Sequence, residues 1–380
     1  MQFNNMKDKQ EQGWRWGVLS LFLIILLLIA TCSTMGQVGF NGNGFFENQS
    51  DSTDEWLHEL EPFTLRVPGG AIAKYANPSP YRGGWGMDTA IIDTITNKYK
   101  SHEEDPNPDI LAKWYRKCGG QPDYSYLDKL IEFSETHSIN VIWVANIYIN
   151  PELAILPIEY LLLNGVNIVV VEMGNESYSQ VDHDFDYYEE SMTGIRELVL
   201  ALGIPVSHPA APSGTRYRKD HNEWNNRLKG FISLTGDWVT FHPYYDRREF
   251  SGLTEPVDTV LALEQIDAFD FAGQFEDMKD GFNSGGFIVT EGNIQPSGLV
   301  GDTHVNAEFM KRFVSEGKKE FDYFCIHSGR SPDKYGLIYG VGIQKKNSTF
   351  EAFKSTKLDR PDRKRWVCTV WFLRWIFNCN

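Results

Sequence analysis

Pro151–Glu176 reads PELAILPIEYLLLNGVNIVVVEMGNE, and its two halves have different rhythms. Pro151–Leu163 is predicted to be a helix that feeds Asn167–Met173, a short and nearly unbroken run of apolar, β-branched residues. A strand that is apolar on both faces has to be covered on both faces, which points to a parallel sheet flanked by helices. The same couplet recurs on either side. Tyr126–Thr136 is a predicted helix leading into the strand Asn140–Ile147, and Glu189–Leu202 is another leading into Ile204–His208. Asp237–His242, Gly286–Thr290 and Phe321–His327 continue the series of strands, with helical spacing at Val260–Phe269 and Asn306–Ser315.

Upstream, Phe63–Val67 (FTLRV) stops at Pro68-Gly69-Gly70 and is read as the first strand. That gives seven strands, and Ala71–Asp123 is long enough to hide strand two with its helix. Eight strand–helix units over roughly 280 residues match a closed (β/α)8 TIM barrel. An open doubly wound sheet is the alternative, disfavoured because PGG after the first strand is not a G-x-G-x-x-G phosphate loop. The expected division is 1–36 as a signal peptide or N-terminal membrane anchor, 37–60 as a linker, 61–345 as the barrel, and 346–380 as an atypical tail. The linker assignment rests on the Gly, Asn, Ser and Asp content of QVGFNGNGFFENQSDSTDEWLHEL.

The ends of the chain bear on location. Val18–Ala30 (VLSLFLIILLLIA) follows a polar stretch with Lys7, Lys9 and Arg15, and precedes small residues. It fits a signal-peptide core, an uncleaved anchor flanked by Trp14 and Trp16, or a lipoprotein-like box with Cys32 as the lipidated residue. All three send the rest of the chain out of the cytoplasm, and two tie it to a membrane. The remaining cysteines, Cys118, Cys325, Cys368 and Cys379, have neither zinc-ligand spacing nor the pattern of a disulfide framework. Sequons at Asn48 and Asn347 matter only in a eukaryotic secretory pathway. The end, KLDRPDRKR followed by WVCTVWFLRWIFNCN, fits an interfacial helix, a docking strand or a truncated reading frame.

Composition narrows the function. With 36 Lys and Arg against 51 Asp and Glu, the net charge is −15, which argues against nucleic acid as a partner, since phosphate binding needs a cationic surface. The aromatic content of 14% suits a cleft whose rings stack on sugars, and equally a large core.

In a barrel of this kind the active site lies at the C-terminal ends of the strands. Those ends hold Arg66, Asn146, Asn175, Glu176, His208, His242, Tyr244, Glu291 and His327. Glycosidic cleavage needs two carboxylates, and Glu176 and Glu291 each follow a strongly apolar strand. Two strands lie between theirs, so with one hidden strand they fall on strands four and seven. Arg66 is a candidate ion-pair partner that keeps Glu291 ionised, since a nearby cation lowers a carboxyl pKa. Trp143 and Tyr178 are candidates for the wall around Glu176 or for a sugar platform. Glu172 lies within its strand and is read as support. His208 and His242 fit either satisfied core histidines or substrate contacts. The acidic aromatic loop Val181–Glu190 reads as solvated, and it follows Glu176 closely enough to line the cleft.

That arrangement resembles the large clan of retaining glycoside hydrolases with acid/base on strand four and nucleophile on strand seven. Leu65–Gly70, Glu172-Met173-Gly174-Asn175-Glu176 and Thr290-Glu291-Gly292-Asn293 look like its α-L-arabinofuranosidase, heparanase/β-glucuronidase and β-xylosidase branches, over about Phe63–Ile343. The resemblance implies Glu176 as acid/base, Glu291 as nucleophile, Asn175 on the sugar 2-hydroxyl and Tyr244 donating to Glu291. It implies an oligo- or polysaccharide substrate, with no metal or organic cofactor. Those branches carry an accessory β-sandwich, for which this chain leaves little room after the barrel. A non-catalytic carbohydrate-binding surface protein is the competing reading. A barrel lyase or isomerase is a third, lacking the expected metal cluster or catalytic lysine.

Overall fold

The computed structural model describes residues 36–42, 55–56, 59–60, 64–70, 73, 126–179, 184–212, 219–294, 300, 303–327, 330–331, 337–339, 345–346 and 348–356. The apolar segment 18–30 with Cys32, the sequon asparagines 48 and 347, the stretch 74–123 and the tail from 357 lie outside these residues. Among the described residues no helix is long and apolar enough to cross a membrane.

The elements alternate as the sequence predicts. They begin with β1 (Gln37–Asn41), β2 (Thr64–Val67), α1 (Tyr126–His137), β3 (Asn140–Ala145), α2 (Pro151–Leu163), β4 (Asn167–Met173) and α3 (Phe185–Ala201). They continue with β5 (Val206–Pro209), α4 (Lys219–Thr235), β6 (Trp238–Phe241), β7 (Tyr244–Tyr245), α5 (Thr259–Ala268) and α6 (Phe271–Lys279). The last are β8 (Phe287–Val289), β9 (Asn293–Ile294), α7 (His304–Glu320), β10 (Tyr323–Ile326), β11 (Arg330–Ser331), β12 (Ile338–Tyr339), β13 (Lys345–Lys346) and α8 (Ser348–Ser355). Eight parallel strands close in the order β1-β2-β3-β4-β5-β6-β8-β10, and β10 pairs back onto β1. This is a (β/α)8 barrel. Among the described residues the remaining sheets are the two-stranded β7–β9 and the three-stranded β11–β12–β13.

The first strand of the barrel is β1, not Phe63–Val67. Its five residues fall at the head of the stretch assigned to a linker, and FTLRV is the second strand. The eight strands therefore close without one from Ala71–Asp123. The sequence does not announce this strand, which is short, sits among Gly and Asn, and has no apolar run of its own. Its pairing supplies the stability instead: Gly39 stands opposite Thr64 and Cys325, and a Cβ on it would come 1.9 Å from the Thr64 carbonyl oxygen. Only glycine permits that approach. Phe40, fully buried, meets Phe353 of α8 at 6.2 Å between ring centroids. The beginning of the expected tail is thus a helix packed on the barrel.

Local chemistry sets the couplet of α2 and β4. Asn150 caps α2 by accepting from the Glu152 amide at 2.8 Å, and Pro151 takes the first turn, where no amide proton is needed. Ala154, Ile155, Ile158 and Leu161 turn one face inward. Gly165, at φ +78°, ends the helix in the left-handed region before β4 begins.

Register partners in adjacent parallel strands face the same way, so the barrel has two separate cores. Ile142, Val170, Ile288 and Cys325 fill its interior. Leu65, Val67, Val141, Trp143, Val171, Met173, Val239 and Phe324 face outward onto the helices. Many of the aromatic residues lie in this outer layer, where Tyr245, Phe271, Phe309 and Phe313 pack ring against ring, Phe309 and Phe313 stacked at 5.2 Å.

Candidate active site

Above the interior core the strands present polar residues. Arg66, buried completely, lies beside Asn41 in register. Its Nε and Nη2 donate to the two oxygens of Glu172 at 2.8 and 2.7 Å, and Nη2 also donates to Asn175 Oδ1 at 2.8 Å. Its Nη1 donates to Glu291 Oε1 at 2.5 Å. One guanidinium therefore ties the second, fourth and seventh barrel strands together, a task for which its planar fork of donors is suited.

Glu291 is surrounded by donors. Besides Arg66, Asn41 Nδ2 donates to Oε1 and the Tyr244 hydroxyl donates to Oε2, both at 2.8 Å. Tyr244 reaches it because β7 pairs with β9, matching Tyr244 to Asn293 two residues beyond Glu291. Burial by itself would raise the Glu291 carboxyl, but in the acid range where it titrates the charges of His242, Arg66 and His327, aided by the Tyr244 hydroxyl, hold it down at about 2. Glu172 is likewise held low against its burial, by Arg66 first and then by His242.

Glu176 stands apart, its side chain 33% exposed. The turn after β4 passes through the left-handed region at Gly174, φ +76°, and again at Glu176 itself, φ +49°. That conformation is uncommon for a residue with a Cβ and is retained where a side chain has to be aimed. A Cβ on Gly174 would come 2.6 Å from Ser177 Oγ, so the turn needs glycine there. His242 bridges the two carboxylate groups: Nδ1 lies 3.0 Å from Glu176 Oε1, and Nε2 lies 2.8 Å from Thr290 Oγ1 and 3.5 Å from Glu172 Oε1. Burial opposes charging this ring, yet Glu291, Glu172 and Glu176 outweigh it and push its pKa up to about 9. The imidazolium then donates from both nitrogens. One ligand atom each from Glu176, His242 and Glu291 lies within 4.8 Å of the others, a span a metal ion could bridge. The Arg66 charge and a protonated His242 disfavour a further cation, since an imidazole has to lose its proton to ligate.

Of the residues singled out from sequence, Glu176, Glu291, Asn175, Arg66, Tyr244 and His242 converge. Tyr178 joins them, its hydroxyl 3.3 Å from Glu176 Oε1. Trp143 does not: strand register turns it outward beside Val67 and Val171, into the layer beneath the helices. Asn146 follows β3, where its Oδ1 accepts from the Tyr148 amide at 3.1 Å and its amide nitrogen has no partner among the described residues. His208 also faces outward, bonded to Tyr188 at 2.8 Å and to Asp237 at 2.9 Å, and burial lowers its pKa. It is a core histidine. Asn41 is not legible as a site residue from the sequence, because the strand that carries it has the composition of a linker. Thr290 belongs to the Thr290-Glu291-Gly292-Asn293 motif, and only the structure pairs it with His242.

No family model matches the chain, and no curated protein matches it. Solved structures do. A family 51 α-L-arabinofuranosidase from Bifidobacterium longum superposes with a TM-score of 0.53 at 13% identity, over 86% of this chain and 72% of that one. The GH51 arabinofuranosidase from Xanthomonas axonopodis pv. citri gives 0.52 at 14%, over 85% and 72%. The chain shares with these two arabinofuranosidases the (β/α)8 barrel fold.

Proposed function

We propose that this protein is a retaining glycoside hydrolase, with Glu291 as nucleophile and Glu176 as acid/base. One observation carries the proposal: carboxylate oxygens of Glu176 and Glu291 lie within 4.8 Å of each other, at the ends of the fourth and seventh barrel strands. Retaining enzymes hold their carboxylates about 5–5.5 Å apart, whereas inverting ones leave roughly 6.5–9.5 Å for a water.

The two carboxyl groups divide the chemistry between them. Glu291, kept ionised, attacks the anomeric carbon as the glycosidic C–O bond breaks. Glu176 gives its proton to the departing oxygen, leaving a glycosyl ester on Glu291. Glu176 then takes a proton from water, whose oxygen attacks the same carbon and releases the ester, restoring both carboxyl groups. Asn175, its Oδ1 held by Arg66, has its amide nitrogen left to meet the sugar 2-hydroxyl. His242, donating to Glu176, steadies the acid/base between the two steps. The substrate class is an oligo- or polysaccharide, met outside the cytoplasm if the segment 18–30 directs export.

The test is hydrolysis of a panel of aryl glycosides that includes arabinofuranosides, the substrates named for the two structures of like fold. Glu291→Ala should abolish turnover, and added azide should restore it as a glycosyl azide. Full turnover by Glu291→Ala without azide would overturn the nucleophile assignment. Binding of oligosaccharides with no turnover on any glycoside would favour the non-catalytic reading.

A further inference from the structure

We infer that Asn41 is a positioning residue that selects the attacking oxygen of Glu291 and holds His327 as the neutral tautomer protonated on Nε2. The first half rests on the glycosidase reading. The second rests on geometry alone. Asn41 is buried completely at the end of β1, and one atom of its amide lies 2.8 Å from Glu291 Oε1 and 3.2 Å from His327 Nδ1. A carboxylate only accepts hydrogen bonds, so the atom facing it has to be the amide nitrogen. That same nitrogen donates towards His327 Nδ1, which therefore carries a lone pair, and the ring proton sits on Nε2. Both amide protons are used, one on each partner. The Asn41 carbonyl oxygen abuts Gly69, where a Cβ would come within 1.4 Å of it. Glycine at 69 thus leaves just the space that this amide occupies.

The consequence concerns Glu291. Arg66 and Asn41 both donate to Oε1, whereas Oε2 takes the Tyr244 hydroxyl, with His327 Nδ1 at 3.6 Å. Oε1 is held by two donors inside the barrel wall, so Oε2 is the oxygen that bonds to the anomeric carbon. Removing Asn41 frees the carboxylate to rotate and releases the His327 ring.

The test uses the full chain labelled with 15N-histidine near pH 7, with the His327 ring signals identified by their loss in His327→Gln. The expected result is an unprotonated Nδ1 and a protonated Nε2 in the wild type, and loss of that single tautomer in Asn41→Ala. On an aryl glycoside with a good leaving group, Asn41→Ala should lower kcat about 30-fold, the size of a lost hydrogen bond to a charged group, with KM little changed. Gly69→Ala, which displaces the amide without removing it, should produce both effects and covers the case that Asn41→Ala does not fold. A wild-type ring protonated on Nδ1 overturns the tautomer assignment whether or not any glycoside is cleaved. A wild-type kcat in both variants of an active enzyme overturns the positioning role and leaves the glycosidase reading intact. If the wild type cleaves nothing, the glycosidase reading fails and the oxygen selection with it, while the ring signals still decide the tautomer.

Discussion

Arg66 and Glu172 form a fully buried two-point ion pair, Nε to Oε2 at 2.8 Å and Nη2 to Oε1 at 2.7 Å. Neither group meets water, so each depends on the other to offset its desolvation. The third donor of Arg66 reaches Glu291, which makes the site and the barrel interior one electrostatic unit.

Arg66→Ala would leave two buried carboxylates without their cation. The expected loss is about 3–5 kcal/mol of stability, read by urea unfolding, together with loss of activity. Arg66→Lys should recover only part of it, because an ammonium cannot address Glu172 with two parallel bonds. Equal stability of wild type and Arg66→Ala would contradict the buried pair.

His242 gives stability a particular pH dependence. Its folded pKa, about 9, lies above its ordinary value of 6.5, so its contribution is complete below 6.5 and is lost as pH rises through about 9. The size is roughly 3 kcal/mol at about 1.4 kcal/mol per pKa unit. Unfolding free energies of wild type and His242→Gln should therefore converge between these two pH values. Parallel curves would show that the ring is not charged in the folded protein.

Glu291 acts in the opposite direction. Its folded pKa, about 2, lies below the ordinary 4.5, so its stabilisation is present above 4.5 and disappears as pH falls towards 2. Glu291→Gln should flatten the acid limb of the stability profile over that window. An unchanged acid limb would place the carboxylate in an unpaired setting.

Tyr244→Phe removes one hydrogen bond to a charged oxygen while keeping the ring. A bond of that type contributes about 1.5–3 kcal/mol, so kcat/KM on aryl glycosides should fall roughly 10- to 100-fold, with a small change in Tm. A large loss of Tm with unchanged kcat/KM would assign the hydroxyl a purely structural role.

Gly39→Ala tests the closure of the barrel. The added methyl would overlap the Thr64 carbonyl oxygen, 1.9 Å from the ideal Cβ position, and backbone cannot yield as a side chain can. A destabilisation of about 2 kcal/mol or more is expected in thermal unfolding. A neutral substitution would mean that β1 does not pair as described.

The sequence alone determined the alternation of strands and helices and the placing of two glutamates three strands apart, because these are local signals. Apolar runs such as Asn167–Met173 announce buried parallel strands, and Gly174-Asn175-Glu176 marks a turn at a strand end. Only the tertiary structure decided which residues face which way. In a parallel strand apolar on both faces, nothing in the pattern separates Trp143, turned out to the helices, from Ile142, turned into the barrel. His208 and His242 look alike in sequence, yet they face opposite ways: burial among the helices lowers the pKa of His208 against the pull of Asp237, whereas the carboxylates around His242 outweigh its burial and raise it. The strand Gln37–Asn41 was illegible for a related reason: its stability comes from its partners, β2 and β10, and not from its own residues. It carries Asn41, so the last donor on Glu291 became visible only when the barrel closed.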